Sequence, residues 1–200
     1  PSRQANVLRM HEGIRSVDEL YTLDEVKQQY PAGLDGRDVA WIWRRLLSIL
    51  GFAHAQKVVH GAVVPAHVLI EPGGHKLLLI DWCHAVDQEA GGAQLPSVIS
   101  GGHRAWYRRQ LVHGQALTGA FDVAFGARCM IGLLGGDPLK ATVPNTVDPA
   151  LQRYFQRCLS SGACQVDAWK LLDDFDHLIE ALWGPRRFRV LAMPPRTAIG

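Results

Sequence analysis

Residues 120–134 are apolar or glycine at every position except Asp122 and Arg128. A stretch of that length without a polar face predicts a helix enclosed on most sides, ended by Gly135-Gly136. It also sets a local problem, because a carboxylate among apolar neighbours is costly unless it is hydrogen-bonded. Asp122 is therefore expected to be buried and to have donors waiting for it.

The rest of the chain reads as helices around a small β-rich insertion. Thr22-Leu23-Asp24-Glu25 is a capping box that opens a short helix ending before Pro31-Ala32-Gly33. A longer helix begins near Asp35 or Gly36, with Val39, Ile42, Leu46, Leu47, Leu50 and Ala53 as its buried stripe and Trp41, Arg44 and Arg45 off it. The period then changes. Lys57-Val58-Val59-His60 is β-like, and two apolar runs either side of Pro72-Gly73-Gly74 predict a hairpin. Residues 81–102 have no lasting period and read as a long loop, of the kind that is usually functional or mobile. Residues 151–159 and 166–182 are amphipathic helices, and the Pro- and Arg-rich tail from Gly184 onwards is expected to run over the surface. The fold class is mainly α with a small β-hairpin insertion, and 200 residues with 48% apolar content suffice for a disulfide-free core.

Charge and cysteine usage exclude several functions. A formal net charge of +2 gives no reason to expect nucleic acid or membrane as an obligatory partner. Arg108–Arg109 and Arg186, Arg187 and Arg189 read as solvated faces. The four cysteines form no Cys-x-x-Cys pair and the nine histidines join them in no ligand spacing, so neither a metal nor another cofactor is expected. No run reaches the ~18 apolar residues of a membrane helix, and no signal peptide is visible, which makes cytoplasm the expected compartment. A chain beginning at Pro1 reads as a processed product or a piece of a longer protein.

The order of motifs then matters. A helix ending Leu50-Gly51-Phe52-Ala53-His54 leads to His60-Gly61-Ala62-Val63-Val64-Pro65-Ala66-His67, a hairpin, and Ile80-Asp81-Trp82-Cys83. Trp106-Tyr107-Arg108-Arg109-Gln110-Leu111 and Ala120-Phe121-Asp122-Val123-Ala124-Phe125-Gly126 follow. Over roughly residues 20–190 this resembles the C-terminal lobe of serine/threonine protein kinases, whose catalytic loop, hairpin, Asp-Phe-Gly, Ala-Pro-Glu segment and central apolar helix come in that order. It also looks like a group of bacterial kinase-like proteins with His-Gly-Ala/Asn in the loop and Asp-Trp-Cys/Thr after the hairpin. The resemblance implies a lead-in at 1–20 (a remnant of the hinge or N-lobe), a C-lobe-like domain at 21–190, a tail at 191–200, and an N-lobe that is absent or vestigial.

Phosphoryl transfer needs few parts, and the resemblance assigns each one a position. The catalytic-loop Asp, which orients the substrate hydroxyl and takes its proton, matches Ala62. The Lys that neutralises the transferring group matches Val64. The Asn that holds a second magnesium matches His67, and magnesium prefers hard oxygen ligands. Asp81 stands in the metal-binding Asp position, as a vestigial cation ligand or as a residue that caps or hydrogen-bonds the turn after a buried strand. The preceding residues contain no Gly-rich phosphate loop and no strand Lys.

The architectural positions are kept. His60 and Trp82 match two members of an internal apolar stack, and Asp122 matches the buried Asp that accepts amides of the catalytic loop. Gln110 replaces the Ala-Pro-Glu carboxylate. The later segment Ser160-Ser161-Gly162-Ala163-Cys164-Gln165 has no Arg to pair with it, so a Gln110–Gln165 contact is expected instead. The resemblance thus implies a pseudokinase without catalytic or cofactor-binding residues. It would act as an interaction or scaffold module for a protein partner, an adjacent domain or a second copy. The partner face would be the one a kinase N-lobe covers, around Leu69, Trp82 and the 81–102 loop, with Arg104, Arg108 and Arg109 beside it. The alternatives are an unorthodox nucleotide-binding phosphotransferase using Asp81 with His60 or His67 as base, or a fragment of a larger kinase-like protein.

Overall fold

In the computed structural model, which describes residues 14, 16–89, 101–107, 117–160 and 167–195, two long helices form the centre. Helix α1 (Leu23–Gln29) is preceded by strand β1 (Tyr21–Thr22) and opens on the capping box: Glu25 N–H donates to Thr22 Oγ1 (3.2 Å) and Thr22 N–H to Glu25 Oε2 (2.7 Å). Helix α2 (Gly36–Ala55) is capped by Asp35, which accepts from Arg37 N–H. The short strand β2 (Val58–Val59) follows, then β3 (Val68–Glu71), β4 (Lys76–Leu79) and β5 (Val86–Asp87). Helices α3 (Gly119–Leu133), α4 (Pro149–Leu159) and α5 (Ala168–Trp183) follow, and the regular structure of the described residues is mainly α.

The hairpin β3–β4 pairs Val68 with Leu79 and Glu71 with Lys76, and β1 adds a third antiparallel strand through Tyr21–Ile70 and Thr22–Leu69. Its turn is stabilised by the Glu71 carboxylate, which accepts from Gly73 N–H (2.7 Å) and Gly74 N–H (2.8 Å). A second, two-stranded sheet joins β2 to β5, Val59 opposite Val86.

Every residue of the expected α2 stripe is buried. Trp41 is the exception to the expected pattern: it is off the stripe yet only 8% exposed, because the hairpin end places His75 flat against it, rings 4.2 Å apart and 5° from parallel. Helix α3 crosses α2 where Gly126 meets Trp43, so closely that a Cβ there would lie 2.8 Å from the indole. Trp43 in turn donates from Nε1 to Tyr154 OH on α4, and that hydroxyl donates to Leu171 O on α5. One hydrogen-bonded chain therefore ties α2, α4 and α5 together, and the Gly126–Trp43 contact adds α3 to the same core.

Two further expectations are corrected. The loop expected at 81–102 contains a 3₁₀ turn at Trp82–His84 and strand β5, and a second 3₁₀ segment begins at Gly101 and runs to Tyr107. The tail does more than run over the surface: Leu191 is 4% exposed, Tyr21 OH donates to Pro194 O (2.7 Å), and Tyr30 OH donates to Ala192 O (2.5 Å). Ile14 and Leu20 are likewise buried at the other end of the described chain. Among the described residues no helix is long and apolar enough to cross a membrane.

Candidate functional site

The segment between α2 and β3 is held from below by Asp122. Its carboxylate is wholly buried in α3 and accepts from His60 N–H at Oδ2 (2.7 Å) and from Gly61 N–H at Oδ1 (2.8 Å). His54 Nε2, from the last turn of α2, lies 3.0 Å from Oδ2. The cost of burying this carboxylate is thus offset by three directed partners, two of them backbone amides of one loop. Tyr107 closes the loop from the other side: its hydroxyl donates to Gly61 O (3.0 Å), while its ring packs on Phe121 and Phe125 of α3. Burial pushes that phenol well above its ordinary range, so it acts as a donor.

His60 is fully buried and both ring nitrogens are used. Nδ1 accepts from Ala62 N–H (3.2 Å) and Nε2 faces Ile80 O (2.9 Å), which fixes the neutral Nε2–H tautomer. Burial agrees, since it lowers the tendency of this imidazole to take a second proton, against the opposing pull of Asp122 and Ile80 O. The ring meets Trp82 edge-on at 4.6 Å, and the Trp82 indole donates to Leu79 O (2.7 Å).

Ala62 and Val64 face inward, 3% and 4% exposed, and Val63 is buried between them. The next side chain along the loop with reactive atoms is His67, at the end of a 3₁₀ turn begun by Pro65. His67 Nδ1 lies 2.8 Å from Ala62 O, and Nε2 lies 3.0 Å from Asp81 Oδ2. Both ring nitrogens thus face oxygen atoms of the protein.

Asp81 has φ +62°, in the left-handed region, and its side chain makes no cap on the following 3₁₀ turn. It hydrogen-bonds that turn through a side chain instead: the Cys83 thiol donates to Oδ1, while His67 lies against Oδ2. The Cys83 hydrogen bond, with smaller help from the nearby histidines, holds this carboxyl below its ordinary range against partial burial. The same bond pushes the Cys83 thiol up. Cys83 is exposed but disfavoured as thiolate. Alkylation by iodoacetamide at pH 8, followed by peptide mass mapping, is expected to be slow at Cys83 and several-fold faster in Asp81→Asn; equal rates would separate the thiol from this carboxylate.

Asp81, His67 and Cys83 form no ligand cluster: among the described residues no group of three or more His, Cys, Asp or Glu is arranged to hold a metal. The face expected to be bare is partly closed. Leu69 is half-covered where β1 pairs with β3, and Trp82 is half-buried against His60. The large apolar side chains that are exposed among the described residues, such as Phe52, Trp169 and Phe188, lie elsewhere in the chain. Arg104 is exposed in the 3₁₀ segment, whereas Arg108, Arg109, Gln110 and Gln165 lie outside the described residues, and the expected Gln110–Gln165 contact with them.

Two residues of this constellation had no assigned role in the sequence. His54 is recognisable only once the end of α2 is known to abut α3, and Tyr107 only once the 3₁₀ segment is known to fold onto Gly61. A scan against protein-family models and a search of curated proteins returned no match for this chain.

Proposed function

We propose that this chain is a catalytically inactive, protein-kinase-like interaction module, a pseudokinase in its chemistry. The observation that carries the reading is a loop anchored to Asp122 through His60 and Gly61, with Ala62 and Val64 turned into the core at 3% and 4% exposure. An apolar, covered side chain offers a substrate hydroxyl neither an acceptor for its proton nor a means of orientation. Asp81, the one carboxylate in a metal-binding position by resemblance, has both oxygens engaged by His67 and Cys83.

The alternative, a phosphotransferase with a histidine base, finds little support in the same hydrogen bonds. A general base needs a free lone pair within reach of the proton it takes. His60 spends its lone pair on Ala62 N–H, and both His67 nitrogens face acceptors. The module would instead work by contact with a protein partner or an adjacent domain, on the side where Arg104 is exposed next to the 3₁₀ segment.

Calorimetric titration with ATP, in magnesium and in EDTA, tests the reading. The expected result is no magnesium-dependent binding and no phosphoryl transfer. Micromolar binding that requires magnesium and is abolished by Asp81→Asn would overturn it.

A further inference from the structure

A cleft of about 720 Å³ lies between the first half of α2, the end of α5 and the tail, and five arginines line it: Arg37, Arg44, Arg186, Arg187 and Arg189. None of the loop residues 60–67 or 81–83 reaches it. The arginines are not simply a solvated face. Asp176 holds Arg44 (2.5 Å) and Arg186 (2.6 Å), Asp35 holds Arg189 (3.2 Å) and, more loosely, Arg37 (3.9 Å), and Asp38 lies 3.4 Å from Arg189. Five guanidinium groups against three carboxylates leave an excess of two positive charges. Arg187 is exposed and makes no ion pair among the described residues.

A second observation is independent of charge. The inner wall carries Trp41, whose Nε1 donor is buried and has no hydrogen-bond partner among the described residues. A buried donor left without an acceptor is destabilising, so such an atom asks for one. Trp41 stacks on His75, and His75 meets Phe188 at 4.4 Å, with Phe188 itself 63% exposed. The cleft therefore combines a planar, apolar wall with forked cationic donors, the pairing that suits phosphate groups attached to a flat body. Its volume falls within the ~300–1,000 Å³ typical of small-molecule sites, which favours a small ligand over a peptide laid across the surface.

We propose that this cleft binds a phosphate-bearing small molecule, with its phosphate groups on Arg187 and the neighbouring arginines and its flat part against the Trp41–His75–Phe188 wall. The site is separate from the Asp81 loop and owes nothing to magnesium.

The test is calorimetric titration of the whole chain in EDTA with inorganic pyrophosphate and with ADP, on wild type, Arg187→Glu and Asp81→Asn. Saturable binding of either probe is expected, weakened by about tenfold or more in Arg187→Glu, which corresponds to one charge-assisted contact. Asp81→Asn is expected to bind as wild type does, which separates this site from the nucleotide question at the loop. Because Arg187 is exposed and supports no ion pair among the described residues, its variant should melt as wild type does, so lost binding will not reflect lost folding. No saturable binding of either probe at millimolar concentration, or undiminished binding in Arg187→Glu, overturns the proposal. Binding of polyglutamate in place of both phosphate probes overturns it too, and assigns the cleft to an acidic peptide.

Discussion

Asp122→Ala is expected to lower the melting temperature by about 10 °C. The substitution leaves His60 N–H and Gly61 N–H without their acceptor in a site that water does not reach, since Asp122 is 0% exposed. Each orphaned amide costs about 1–3 kcal/mol, and a domain of this size loses about 2–4 °C per kcal/mol at its midpoint. His54 loses its partner at the same time. Asp122→Asn keeps one acceptor oxygen but turns an NH₂ group toward the other donor, so it should fall between wild type and alanine. Thermal melts followed by circular dichroism decide the matter. A melting curve unchanged in Asp122→Ala would show that this carboxylate does not hold the loop, and the kinase-like reading would lose its anchor.

The need for that anchor was legible in the sequence, and the resemblance pointed to loop amides as its donors, but His54 had no signal there. A lone Asp in residues 120–134 signals a buried carboxylate because the surrounding side chains leave no solvent-facing side. Which donors reach it depends on how α2 crosses α3, and that crossing is set by Gly126 against Trp43, a contact without local signature. Trp41 shows the limit of periodicity. A single stripe is counted for one buried face, and the hairpin buries a second. Strand β5 was hidden for another reason: two residues are too few to show a period, and Val86 becomes a strand residue only by pairing with Val59. The Arg-rich tail misleads through composition. Its anchoring rests on backbone carbonyls at Ala192 and Pro194, accepted contacts that any residue could supply and that join positions more than 150 apart in sequence. At the loop, Ala62 and Val64 were readable as chemically inert, while the partnering of Asp81 with His67 required the hairpin to bring strand ends together.

Gly61→Ala is expected to cost about 2–4 kcal/mol, although it adds a single methyl group. Gly61 has φ +76°, where an L side chain is strained by roughly 1–2 kcal/mol before any contact is counted. The added Cβ would also stand 2.9 Å from His84 O and 3.1 Å from Leu117 Cδ1. The carbonyl cannot rotate away freely, because His84 belongs to the 3₁₀ turn that leads into β5, and β5 is paired with β2 directly before the loop. Relief must therefore come from Gly61 itself. Moving it would lengthen the Gly61 N–H bond to Asp122 and the Tyr107 hydroxyl bond to Gly61 O together. The loss should consequently be non-additive with Asp122→Ala: once the carboxylate is gone, the loop has less to lose, and the double variant should melt only slightly below Asp122→Ala. Full additivity of the two losses would mean that the glycine and the carboxylate act on different parts of the fold. Coupling would place one glycine, one carboxylate and one phenol in a single clamp, which fixes the backbone of the loop between β2 and β3.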